Sequence, residues 1–322
     1  MLLKVKSHTA AALVALLLFV SVVPSSAAQK KSKKKPTPRG TPVLWRDTDT
    51  GGLDLSAGPG GPGMRPATRR MRFLKEEKGG WSKKFRVRDA NGREWVAKVS
   101  REAQSETAAV YLLWAAGYVT EIAYLVPRVN IPTRGVFENV RFEARPKGSK
   151  RLDEWSWKQN PFTGSRELEG LKVLMVMLNN WDLKDENNVV IYEPGGRGGS
   201  ELQYVISDLG ATFGKGGGPG FFWRFTRSRN EPEDFADTKF IDKVEDGYVD
   251  FHFTGKNKGL FEKVRVDHAR WIGERLSRLT DGQLHTIFRS ANYTPDETRL
   301  LTSVIRSRVN DLVNLPAVAA RR

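Results

Sequence analysis

Cysteine is absent from all 322 residues, so neither a disulfide framework nor a thiolate zinc site is open to this chain. The four histidines, His8, His252, His268 and His285, show no metal-ligand spacing, which leaves them core or surface roles. Beyond residue 28 no run is long and apolar enough to cross a bilayer, and no internal repeat points to a solenoid or propeller. What is present is ordinary globular material: 39% hydrophobic and 28% charged residues, enough for one large core or two modest ones and too apolar for disorder throughout. The charge is lopsided, with 53 Lys and Arg against 37 Asp and Glu and a formal net charge of +16. That balance favours anionic partners: nucleotide, nucleic acid, anionic lipid or polysaccharide.

The N-terminus has the pattern of a targeting segment over residues 1–28. Lys4 and Lys6 precede the apolar "AAALVALLLFVSVV", and Ser26 and Ala28 suit cleavage before Gln29. The expectation is an exported protein, periplasmic or extracellular, with an uncleaved membrane anchor as the alternative. Residues 29–67 follow, lysine-rich and then Gly- and Pro-rich ("LSAGPGGPGMRP"), without a hydrophobic period. They are expected to form a mobile tether, whose lysines offer contact with an anionic cell-envelope surface.

The pattern over residues 68–145 is mostly β with one helix. "KKFRVRD" and "WVAKVS", joined across Asn91-Gly92, predict a hairpin. "SETAAVYLLWAAGY" predicts an amphipathic helix capped by Ser105 and ended at Gly117, and "YLVPRVNI" and "GVFENVRFEAR" predict two more strands. Residues 146–322 turn helical: "SRELEGLKVLMVMLNN" has the period of a buried helix, and three helices end the chain. The last begins at a capping box of Thr294 and Glu297, with Pro295 at its first position. The expected fold class is therefore α+β, a β-rich lobe followed by an α-helical lobe.

Between the buried helix and the strand "NVVIY" lies the polar run "NNWDLKDEN", and a second strand, "LQYVIS", returns to end on Asp208. An antiparallel hairpin of these strands brings Asp182, Asn187 and Asp208 to one spot. Oxygen donors so placed suit a hard divalent cation held between protein and phosphates, with Asn187 and Asp208 as ligands and Asp182 left to orient an attacking hydroxyl.

On these residues the chain resembles the protein-kinase-like superfamily: "DLKDEN" is similar to the Asp-Leu-x-x-x-Asn catalytic loop, and "DLG" at 208–210 to the Asp-Phe-Gly element. The two-lobed order agrees with the pattern above. The resemblance implies ATP and Mg²⁺, or Mn²⁺, as cofactors. It implies Lys98 of "WVAKVS" as the phosphate-holding lysine and Glu106 as its partner, with Glu102 as a second candidate. Gly79 and Gly80 would cover the nucleotide, Asp182 would be the catalytic base, and Lys184 would neutralise charge on the transferred phosphoryl group. Two departures place it in an atypical branch, similar to HipA-type and secreted kinases: Asn180-Trp181 replaces His-Arg, and no Ala-Pro-Glu follows "DLG". The implied activity is an ATP-dependent phosphotransfer to an unidentified hydroxyl acceptor, protein or small molecule. The rival is an exported, non-catalytic pseudokinase that docks on anionic lipid or polysaccharide. Trp155, Trp157, Trp223 and Trp271 lie near basic residues, but no nucleic-acid module accompanies them, and core packing is the expected role.

Overall fold

The computed structural model describes residues 38–316 apart from 80–81, 196–198 and 219–222, with backbone alone for 223 and 224. The targeting segment, residues 29–37 and Gly80 thus lie outside the described residues.

The elements run β1 (Thr41–Val43), β2 (Arg72–Glu77), β3 (Lys83–Arg88), β4 (Glu94–Val99), α1 (Ala103–Ala115), β5 (Ala123–Ile131), β6 (Gly135–Ala144), β7 (Lys150–Arg151) and α2 (Arg166–Met177). There follow β8 (Asn188–Glu193), β9 (Glu201–Ile206), α3 (Trp223–Thr226), α4 (Pro232–Ala236), β10 (Ile241–Glu245), β11 (Tyr248–Phe251), β12 (Val264–Arg265), α5 (Val266–Ser277), α6 (Asp281–Ser290) and α7 (Pro295–Val313). The fold is mixed α+β, sheet-rich at first and helical at the end, as expected.

The first sheet has the order β2-β3-β4-β6-β5, all antiparallel. Its central hairpin closes at Asp89, whose carboxylate accepts from the backbone N–H of Asn91 and Arg93, both at 2.9 Å, and from the Trp95 indole at 3.0 Å. Strand alternation sorts the side chains. Trp95, Ala97, Phe85, Val87 and Phe142 build the core of one face. The register that pairs Val96 with Glu143 and Lys98 with Arg141 puts charge on the other.

Helix α1 departs from the expected amphipathic form, because eleven of its thirteen residues are buried, among them Ser105, Glu106 and Thr107. Ser105 is not its cap. The helix begins two residues earlier, and the Ser105 hydroxyl contacts the carbonyls of Glu102 at 3.0 Å and Gly210 at 3.1 Å. A second sheet, β1-β9-β8-β7, carries the β8–β9 hairpin. The third, β10-β11-β12, occupies part of the chain expected to be nearly all helical. Its turn, Asp246-Gly247, has positive φ at both residues, 51° and 81°, in keeping with a tight hairpin connection.

The tether expectation fails for residues 41–67. β1 pairs in parallel with β9, Leu44 and Leu55 are each 2% exposed, and Trp45 packs edge-on to Trp271 at 5.4 Å. Arg275 of α5 holds the segment through Asp47 at 2.6 Å and the carbonyl of Thr48 at 2.6 Å. The segment docks as a turn-rich strap on a few separated anchors, which leaves no hydrophobic period to see. Gly117 receives it: a Cβ there would lie 2.4 Å from the carbonyl of Arg46, and its φ of 100° suits glycine alone. Leu55→Ala is expected to lower the unfolding free energy by about 2–5 kcal/mol, the usual cost of emptying a buried leucine site. Denaturant melts of the two chains check this, and an unchanged midpoint would return the segment to a loose tether.

Candidate functional site

Lys98 emerges from the charged face of the first sheet into a buried position. Its ammonium lies 2.7 Å from Glu106 Oε2, 3.8 Å from Glu102 and 3.9 Å from Asp208 Oδ1. Burial opposes the lysine's charge, but Glu106 and Asp208 outweigh it and raise the Lys98 pKa well above the usual lysine value. Glu106 is 1% exposed, and burial pushes its carboxyl up against the pull of Arg141 and Lys98. Glu102 turns mainly to Arg229, with which it forms a close ion pair.

Helix α2, capped by Ser165, delivers the polar run. The chain leaves the helix through Asn179 at φ 50°, and the Asn179 amide donates to the Gly214 carbonyl at 2.7 Å. Asn187 Nδ2 donates to the Asp182 carbonyl at 2.6 Å, which ties the two ends of the loop together. The Asn187 carbonyl in turn accepts from the N–H of Ser207 at 2.8 Å and of Asp208 at 3.2 Å. The hairpin therefore sets Asp208 directly beside Asn187. Asp208 Oδ1 accepts from the Gly210 N–H at 3.1 Å and leaves its side chain 48% exposed. The Asp182 carboxylate is met by Lys184 at 3.2 Å and by Lys256 at 2.7 Å. Burial pushes Asp182 up, but the two lysines outweigh it and hold the carboxyl below its ordinary value.

Of the residues singled out in the sequence, Lys98, Glu106 and Asp208 thus meet directly, and Asn187 and Asp182 meet Asp208 through the loop. Gly79 stands apart in the β2–β3 connection at φ 113°, with open space where a Cβ would be. Sequence reasoning missed a buried charge network behind Lys98. Arg141, 1% exposed, reaches Glu106 at 3.4 Å, Glu121 at 3.2 Å and Glu143 at 2.8 Å. Arg151 pairs with Glu121 and lies 3.3 Å from Glu143, and it donates to Ser207 Oγ at 2.6 Å. Ser207 closes the circuit by bonding Glu121 at 3.0 Å, one residue before Asp208. The signal was present in "RFEAR", where alternation puts Arg141, Glu143 and Arg145 on one face of β6 and its extension. Glu121 and Arg151 also border a cleft of about 1380 Å³, lined further by Arg86, Glu94, Arg145 and Ile191.

Among the described residues no group of three or more His, Asp or Glu forms a metal cage. The donor set still fits a hard cation that shares its shell with phosphate and water: a carboxylate at Asp208 and an amide oxygen at Asn187, whose NH₂ is already committed to Asp182.

Removing one member of the buried pair leaves its partner uncompensated. Glu106→Ala is expected to cost about 3–5 kcal/mol of stability. Glu106→Gln combined with Lys98→Met should cost less than the two single changes added together. Equilibrium unfolding of the four chains checks this, and strict additivity would mean that the two side chains do not interact.

No family model matches the chain, and no curated protein does. Among solved structures it is similar to CtkA, a proinflammatory kinase of Helicobacter pylori, at 10% identity and a TM-score of 0.49, over 76% of this chain and 95% of that one. It is also similar to the Rio2 kinase of Chaetomium thermophilum. In the ADP/Mg²⁺-phosphoaspartate complex the identity is 11% and the TM-score 0.30, over 74% of this chain and 72% of the other. In a further Rio2 structure they are 12% and 0.27, over 76% and 73%. At these values no activity or residue role transfers from them.

Proposed function

We propose that this chain transfers the γ-phosphoryl group of ATP to a hydroxyl acceptor by the logic of protein kinases. One observation carries the reading. Lys98 from the first sheet and Asp208 from the β8–β9 hairpin, 110 positions apart in the sequence, come within 3.9 Å, with Glu106 on one side and Asn187 on the other. A buried cation opposed to an open carboxylate suits a phosphate tail that carries a divalent cation.

Lys98 would hold the α- and β-phosphates, and Glu106 would orient it. Asn187 and Asp208 would hold Mg²⁺ or Mn²⁺, which when bound neutralises phosphate charge. Asp182 orients the acceptor hydroxyl and accepts its proton as the new O–P bond forms and the bond to the leaving ADP oxygen breaks. Lys184, 3.2 Å from Asp182, offsets the charge that builds on the transferred group. On the strength of residues 1–28 alone, we place this activity on an exported chain.

ATP·Mg²⁺ at 100 times its Kd should stabilise the protein by about 2.7 kcal/mol, read as a rise in melting temperature. Asp208→Asn should remove that rise. Asp182→Asn should keep it and lower transfer from γ-labelled ATP by roughly 10²- to 10⁴-fold. A wild-type chain that binds ATP but labels nothing in a cell-envelope extract would favour the non-catalytic reading, and one that shows no rise with either metal would remove the nucleotide site.

A further inference from the structure

The loop Thr254–Asn257, which follows β11, is built into the site although nothing in the sequence marks it. Phe253, 3% exposed, and Phe261, also 3% exposed, meet edge-on at 4.6 Å and anchor the loop on both sides. Between them the backbone presses on the catalytic loop. A Cβ on Gly255 would lie 2.6 Å from Trp181 Cα and 2.7 Å from its carbonyl oxygen, so only glycine permits the approach. The Lys256 N–H donates to the Trp181 carbonyl at 2.8 Å, and Asn257, at φ 57°, donates its side-chain amide to the Leu183 carbonyl at 2.6 Å. Two hydrogen bonds thus bracket Asp182 from the loop side.

Lys256, fixed at its backbone in this way, extends to Asp182 Oδ1 at 2.7 Å, while Lys184 approaches Oδ2 at 3.2 Å. Both carboxylate oxygens have a cation. The Lys256 side chain is 41% exposed, so its head stands at the mouth of the site rather than in packed interior. The other groups around Asp182 are neutral or committed. Asn180 accepts from its N–H, Asn187 donates to its carbonyl, and Arg227 and Arg229 stack over Trp181 at 4.4 and 4.5 Å.

We propose that Lys256 is a positioning residue for phosphoryl transfer: it fixes the plane of the Asp182 carboxylate toward the acceptor hydroxyl. This rests on the phosphotransferase reading of the site. Lys184 is then free to follow the phosphoryl group without leaving Asp182 unpaired.

The test compares Lys256→Met and Lys256→Arg in the full chain. Lys256→Met should lower kcat by about 10- to 100-fold, the scale of a small misplacement of a reacting group. It should leave KM for ATP and the ATP-dependent melting rise in place, and Lys256→Arg should restore the rate. A wild type that transfers phosphate, with Lys256→Met matching it in kcat or losing rate only through a raised KM for ATP, overturns the role of Lys256 alone. A wild type that transfers nothing overturns the phosphotransferase reading and the role of Lys256 with it.

Discussion

A single buried cation dictates much of this structure. Lys98 lies on the inner face of a sheet, 7% exposed, where an unpaired ammonium would cost several kcal/mol. Glu106 answers it, but one lysine occupies only one carboxylate oxygen. Arg141 takes the other, and being buried itself it requires Glu121 and Glu143. Those two draw in Arg145 and Arg151, and there the chain of compensation reaches partly exposed groups. Each step is forced by the one before it, since a half-satisfied buried network is worse than an apolar core. The result couples α1, β6 and the end of β9, so that the position of Asp208 and the position of Lys98 are set by one set of ion pairs.

The same economy governs the segment after Asp208. Where protein-kinase-like loops carry an arginine before the catalytic aspartate, this chain has Trp181, 2% exposed, with its indole bonded to the Ser228 carbonyl at 2.8 Å. Arg227 and Arg229 lie over its ring, and Arg229 continues to Glu102 beside Lys98. Cation–π attraction and an ion pair thus tie the far side of the segment back to the lysine end of the site.

The sequence made the regular elements legible wherever a period or a cap was strong. The hairpin turn at Asn91-Gly92, the apolar period of α2 and the Thr294–Glu297 box of α7 all stand where local chemistry put them. The meeting of Asn187 and Asp208 was also readable, because one hairpin fixes it; that Lys98 and Glu106 join them, across 110 positions from Lys98 to Asp208, came only from the resemblance. What stayed hidden depends on tertiary contact alone. The strap over residues 41–67 is held by separated anchors and by Arg275, more than two hundred residues away. The Lys256 loop has no motif, only a glycine whose meaning is the nearness of Trp181. The β10–β11 hairpin did carry a signal, an Asp-Gly turn between alternating residues, but its polar strands resemble surface loop.

The parallel pairing of β1 with β9 has a consequence for the order in which the molecule assembles. Thr41 lies opposite Glu201, so β1 finds its partner only after about 160 further residues have been made. Until then the start of the strap has Ala116–Val119 to rest on, through Trp45, Arg46 and the Leu44 carbonyl, and loop-closure entropy disfavours early capture at β9. The pairing of β1 with β9 therefore comes late in a chain made from its N-terminus, and its open strand edge is until then a natural place for newly made molecules to stick to one another.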